Sequence, residues 1–168
     1  IHGLPGVSFV LHRKMDFPRI KDIPSRSVYL DLIEHLKAQE IGDSLFTPAV
    51  QAHYALDTAL DELLEETVCG RIKRYRKVAG NLREGFKEIG LEFLIPEDQQ
   101  SNCLTALKIS NGISYDWLHD KLKENGFIIY AGQGLFNRKI FRIANMGNIQ
   151  DEEFALCLKI LKECFAKA

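Results

Sequence analysis

The stretch Lys139-Ile140-Phe141-Arg142-Ile143-Ala144-Asn145-Met146-Gly147 constrains this chain most. It is apolar and β-branched and stops at Gly147-Asn148, which predicts a strand. A strand sends alternate side chains to opposite faces, so Ile140, Arg142, Ala144 and Met146 share one face and Phe141, Ile143 and Asn145 the other. Arg142 therefore stands mid-strand among apolar neighbours. An unpaired buried guanidinium is costly. Two readings follow. Either Arg142 lies on an edge strand and snorkels to water, or it grips the carboxylate or phosphonate of a ligand.

The region around that strand alternates between the two periods. Leu91–Ile95, Cys103–Ser110 and Phe127–Tyr130 read as short strands, with an Asn111-Gly112 turn between. Ser114 caps a helix whose stripe is Tyr115, Trp117, Leu118 and Leu122, stopped by Gly126. The loop Ala131-Gly132-Gln133-Gly134 leads into the Arg142 strand. A final helix runs from about Gln150 to Lys167, with Asn148 as its expected cap. The fold class is α+β: a short, mainly antiparallel sheet covered by helices.

Before Gly90 the pattern differs. Residues 1–14 open with Gly3, Pro5 and Gly6, and Val7–Leu11 reads as a short strand whose neighbours are not obvious in the chain. Residues 15–46 are irregular apart from a helix over about Ser27–Gln39, which suggests a functional or interdomain segment. Thr47-Pro48 predicts a helix start, with Ala52, Ala55, Leu56, Ala59, Leu60, Leu63 and Leu64 as its stripe. Its amino end could hold a phosphate through Thr47, or Thr47 could simply cap the helix. His53 on this helix reads as a surface or interface residue. Gly70 separates it from a basic helix, about Arg71–Ile89. Arg71, Lys73, Arg74, Arg76, Lys77 and Arg83 there read as a solvated face, because aromatic interleaving for nucleic acid is missing.

Several function classes drop out. With 22 Lys+Arg against 23 Asp+Glu, the net charge of −1 gives no field to attract nucleic acid or an anionic membrane. No metal-ligand spacing, P-loop, GxGxxG or GxSxG motif occurs, and no constellation forms a complete active site. Cys69, Cys103, Cys157 and Cys164 read as reduced thiols, the last three in the core, which points to the cytoplasm. The chain begins at Ile1 rather than Met, which reads as a piece of a longer protein or a processed product.

Four motifs occur in one order: Ile1-His2-Gly3-Leu4-Pro5-Gly6-Val7-Ser8-Phe9-Val10, Phe46-Thr47-Pro48-Ala49-Val50-Gln51, Gly126–Gly132 and Phe141–Gly147. On these, essentially the whole chain resembles the C-terminal half of the class V, fold-type I pyridoxal-phosphate aminotransferases. The resemblance implies three parts: a remnant of the cofactor-binding large domain over 1–23, an interdomain segment and helix over 24–66, and the small domain over 67–168. It implies pyridoxal phosphate as cofactor, with the Schiff-base lysine falling just before Ile1, so no catalytic residue lies in this chain. Thr47 would reach the cofactor phosphate of the other subunit of a homodimer, and Arg142 would grip the anionic substrate. Within the class, the implied reaction moves an amino group from 2-aminoethylphosphonate to pyruvate. Relatives acting on alanine, glyoxylate or serine share much of this layout. A non-enzymatic module that binds an anion or dimerises through the same fold is the remaining reading. The chain on its own is expected to be inactive.

Overall fold

The structure, a computed structural model, describes residues 2–110 and 112–166. The chain divides into two compact units, Ile1–Glu62 and Leu63–Ala168.

The first unit is helical. It holds α1 (Phe17–Ile20), α2 (Leu32–Glu40) and most of α3 (Val50–Glu66). The expected strand at Val7–Leu11 is absent, and Phe9, Val10 and Leu11 are exposed. A strand needs a neighbour for its ladder, and the described residues of this unit contain no other strand. The helix expected from Ser27 begins only at Leu32, because Asp31 accepts from the amides of Ile33 and Glu34 and so caps it there.

The second unit carries α4 (Val68–Ile89), β1 (Leu104–Lys108), α5 (Tyr115–Glu124), β2 (Tyr130–Ala131), β3 (Ile140–Ala144) and α6 (Asp151–Phe165). Gly70 is not the break between α3 and α4. Thr67 is, at φ 67°, with its hydroxyl accepting from the Gly70 amide at 3.0 Å. A Cβ at Gly70 would sit 3.1 Å from that hydroxyl, so glycine makes room for the cap. Ser114 caps α5 as expected, by accepting from the Trp117 amide. Gln150, not Asn148, precedes α6, and its amide donates to Glu153 Oε2 at 2.9 Å. The expected turn residue Asn111 and the expected helix end Lys167 lie outside the described residues.

The sheet is antiparallel in the order β1-β3-β2. The expected strand at Leu91–Ile95 contracts to one bridge between Phe93 and Leu107, flanked by the Lys108 amide to Glu92 O and the Leu94 amide to Ala106 O. The alternation in β1 is as the sequence implies, and β3 follows it except at Ile140, which is buried on the Arg142 face: Thr105, Leu107, Phe141, Ile143 and Asn145 are buried on the other. Helices α4, α5 and α6 cover that face with Val78, Leu82, Phe86, Leu118, Leu122, Ile160 and Leu161. Trp117, assigned to the α5 stripe, is instead 41% exposed. Of the three cysteines expected inside, Cys157 and Cys164 are buried and Cys103 only partly so. Burial pushes the Cys157 thiol up to about 11.

The basic face of α4 is not simply solvated. Arg71 and Arg83 are buried. Glu66 takes Arg71 Nε at 2.5 Å and Arg74 Nε at 2.6 Å, and Arg83 Nη2 donates to Ser101 O. The helix turns these cations inward because acceptors from other segments meet them there.

Phe86 is fully buried where α4 meets the sheet. Phe86→Ala is expected to cost about 3–5 kcal/mol, the range for emptying a large aromatic site. Urea denaturation of this chain followed by far-UV circular dichroism measures it, and a loss below about 1 kcal/mol contradicts this packing.

Candidate functional site

Arg142 pairs with Ala106 of β1 on one side and Tyr130 of β2 on the other. It thus lies on the central strand, and the edge-strand reading fails. Its face of the sheet is the one that α4–α6 leave uncovered: Leu104, Tyr130 and Met146 are exposed there. The side chain itself is half-buried. No described residue forms an ion pair with it; the guanidinium Nε donates to the Ala131 carbonyl at 3.0 Å.

That bond follows from the register. The Gly132 amide donates to Ile140 O at 3.1 Å. Bonded and non-bonded pairs alternate in an antiparallel ladder. The Ala131–Phe141 pair is therefore non-bonded, and the amide and carbonyl of Ala131 point away from β3. To reach that carbonyl, the Arg142 side chain crosses β2. One of its five N–H donors is then used, and the remaining four have no hydrogen-bond partner among the described residues.

Gly132 keeps this edge in place. A Cβ there would run into the Phe136 carbonyl oxygen and into Ile140 Cγ1, so the loop 132–136 folds back closely over Ile140. Tyr115, at the start of α5, donates its hydroxyl to Ile129 O at 3.0 Å. Burial pushes the Tyr115 hydroxyl above the ordinary phenol range. The Ala131 backbone and the Arg142 and Arg138 charges pull the other way without reversing it. Neither Gly132 nor Tyr115 stood out in the sequence as a site residue, since their roles depend on which strands pair.

Beyond β3 the chain is fastened to the segment before β1 and to α4. The buried Asn145 donates Nδ2 to Asn102 O at 2.9 Å, and its amide donates to Cys103 O. Arg74 Nη1 donates to Gly147 O at 2.8 Å, and the Gly147 amide donates to the Tyr75 hydroxyl at 3.3 Å. Glu66 holds Arg74 in turn. Hydrogen bonds from Arg74 and then Arg71 lower the Glu66 carboxyl from 4.5 to about 2.

Thr47 belongs to the first unit. It does not cap α3. Ala49 holds the cap position, its carbonyl accepting from the His53 amide and contacting His53 Nδ1. Thr47 is exposed, and its hydroxyl has no partner among the described residues. His53 is exposed as well. Among the described residues no three His, Cys, Asp or Glu side chains group closely enough to hold a metal ion, and no helix is long and apolar enough to cross a membrane.

No family model matches the chain. It is 32% identical over 167 residues to 2-aminoethylphosphonate–pyruvate transaminase from Bacteroides fragilis, covering 97% of this chain and 46% of that protein. Among solved structures, ureidoglycine–glyoxylate aminotransferase from Bacillus subtilis superposes with a TM-score of 0.78 at 26% identity, over 91% of this chain and 40% of that one. Pyridoxamine–pyruvate aminotransferase from Mesorhizobium loti shares the fold, with a TM-score of 0.79 at 22% identity over 92% of this chain and 41% of its own. Sequence and fold agree: this chain is similar to the C-terminal half of class V, fold-type I aminotransferases. It spans about half the length of the curated relatives it matches.

Because the folded Glu66 carboxyl lies below its ordinary value, its contribution to stability is present above about 4.5 and is lost as pH falls toward about 2. Glu66→Gln is expected to flatten the melting-temperature profile across that window. Thermal melts of both forms at stepped pH check this, and parallel profiles contradict the clamp.

Proposed function

We propose that the protein carrying this chain is a pyridoxal-phosphate transaminase that moves an amino group from 2-aminoethylphosphonate to pyruvate, giving phosphonoacetaldehyde and alanine. The observation that carries the reading is Arg142. It is a guanidinium with no carboxylate partner among the described residues, held by one backbone carbonyl on the face of the sheet that α4–α6 leave uncovered. A site of that kind suits a small anion, and the substrates at issue are a phosphonate and carboxylates. The 32% identity to a phosphonate transaminase, spread over nearly the whole chain, supports the choice of donor.

The residues present fit the cofactor in part. Thr47 has an exposed hydroxyl ahead of α3 with no partner among the described residues, and the first helical amides after it lack intrahelical acceptors. That donor set suits one edge of a phosphate. When bound, the cofactor supplies the electron sink for bond breaking at the amino-bearing carbon. This chain's part is different. Arg142 neutralises and orients the substrate anion, and Thr47 donates to the cofactor phosphate across a homodimer. In this reading residues 1–23 complete the large domain, 24–66 link it, and 67–168 form the small domain. The reduced thiols are consistent with residence in the cytoplasm.

A carboxylate donor, as in enzymes of the alanine–glyoxylate type, is the second reading. It is favoured by the similarity to the ureidoglycine–glyoxylate enzyme. Both readings use Arg142 alike, so a donor panel on the intact protein separates them.

With the intact protein, 2-aminoethylphosphonate and pyruvate should give phosphonoacetaldehyde and alanine. Arg142→Ala should then lower kcat/KM by ~2–5 kcal/mol, the range for removing one partner of a desolvated charge pair. An unchanged kcat/KM removes Arg142 from the site, and turnover confined to carboxylate donors selects the second reading.

A further inference from the structure

Tyr115 lies outside every motif that marks this fold, yet it sits against the piece of backbone that holds Arg142. Its hydroxyl donates to Ile129 O at 3.0 Å. Two residues on, the Ala131 carbonyl takes Arg142 Nε at 3.0 Å. Between them, β2 is only Tyr130–Ala131 and lies at the sheet edge, paired among the described strands with β3 alone. A two-residue edge strand has little ladder of its own to fix it. What fastens it from outside is Tyr115, on a helix anchored beneath by the fully buried Leu118 and Leu122. On the far side, the close fold of Gly132 against Ile140 limits its movement.

We infer that Tyr115 is a positioning residue for substrate binding: by tying Ile129 to α5 it fixes the Ala131 carbonyl, and that carbonyl sets the direction of the Arg142 guanidinium. The phenol does not touch the anion. It acts on the angle at which the four remaining guanidinium donors meet it, and bidentate pairing of an Arg with an oxyanion is sensitive to that angle. The inference rests on the reading of Arg142 as the anion clamp.

Two measurements test it. In the intact enzyme, Tyr115→Phe removes the hydroxyl and keeps the ring. KM for the phosphonate donor should rise about 3- to 10-fold while kcat stays within about twofold, as expected for a change in substrate binding. Ser114→Ala removes the cap of the same helix without touching Ile129 or Ala131, and should leave KM unchanged. If Tyr115→Phe leaves KM where it was, or if Ser114→Ala raises it equally, Tyr115 is only a structural residue and the inference fails. The second measurement needs no turnover. In this chain, the Arg142 Nε–H signal in nitrogen-15 spectra, assigned by its loss in Arg142→Lys, should exchange with water at least about 5-fold faster in Tyr115→Phe and be unchanged in Ser114→Ala. Equal exchange in all three forms overturns the inference. Should the intact wild type transaminate neither phosphonate nor carboxylate donors, the proposed function falls, while the exchange result still decides whether Tyr115 positions Arg142.

Discussion

One hydrogen bond organises the candidate site: the Arg142 Nε to the carbonyl of Ala131. It exists because the ladder between β2 and β3 leaves the polar groups of Ala131 facing outward. It turns a long, flexible side chain into a fixed one and leaves most of its donors free. Holding a cation by a neutral carbonyl differs from holding it by a carboxylate. A carboxylate would neutralise Arg142, whereas a carbonyl keeps its full charge available to an incoming anion.

The architecture protects that arrangement. Apolar burial is concentrated on one face of the sheet, where Phe86, Leu107, Leu118, Leu122, Phe141 and Leu161 are all fully buried. The opposite face carries Arg142, Tyr130 and Met146, with Ile140 buried under the loop 132–136. The asymmetry follows from the period of two in β1 and β3. Phe141 and Ile143 commit β3 to the helices, and Arg142 between them has to face the other way. Other arginines of this unit lie along α4. Arg71 and Arg74 share Glu66, and Arg83 is tied to Ser101 O. Arg142 rests on a backbone carbonyl, as the buried Arg83 also does, but it lies on the face of the sheet that α4–α6 leave uncovered, and no described residue forms an ion pair with it.

Much of this unit was legible beforehand from local signals. The Ser114 cap, the glycine after α5 and the alternation in β1 each act over a few residues and stand as read, and the alternation in β3 does so apart from the buried Ile140. The misreadings share a different cause. Val7–Leu11 has the composition of a strand, but a strand exists only with a neighbour. Thr47-Pro48 has the look of a helix start, yet the backbone gives the cap to Ala49. Thr67 takes a positive φ that no composition rule for threonine suggests. The basic face of α4 looked solvated because Glu66, Ser101 O and Gly147 O reach it from other segments. The same limit hid Ala131, Gly132 and Tyr115, since their relation to Arg142 appears only once β2 is placed beside β3.

The account stands or falls on what Arg142 holds. The most direct measurement is a crystal structure of the intact protein with 2-aminoethylphosphonate bound. The account predicts phosphonate oxygens about 2.8 Å from the Arg142 Nη atoms, with Nε still on the Ala131 carbonyl. A phosphonate bound away from Arg142, or a guanidinium that has left Ala131 to pair with a protein carboxylate, contradicts it.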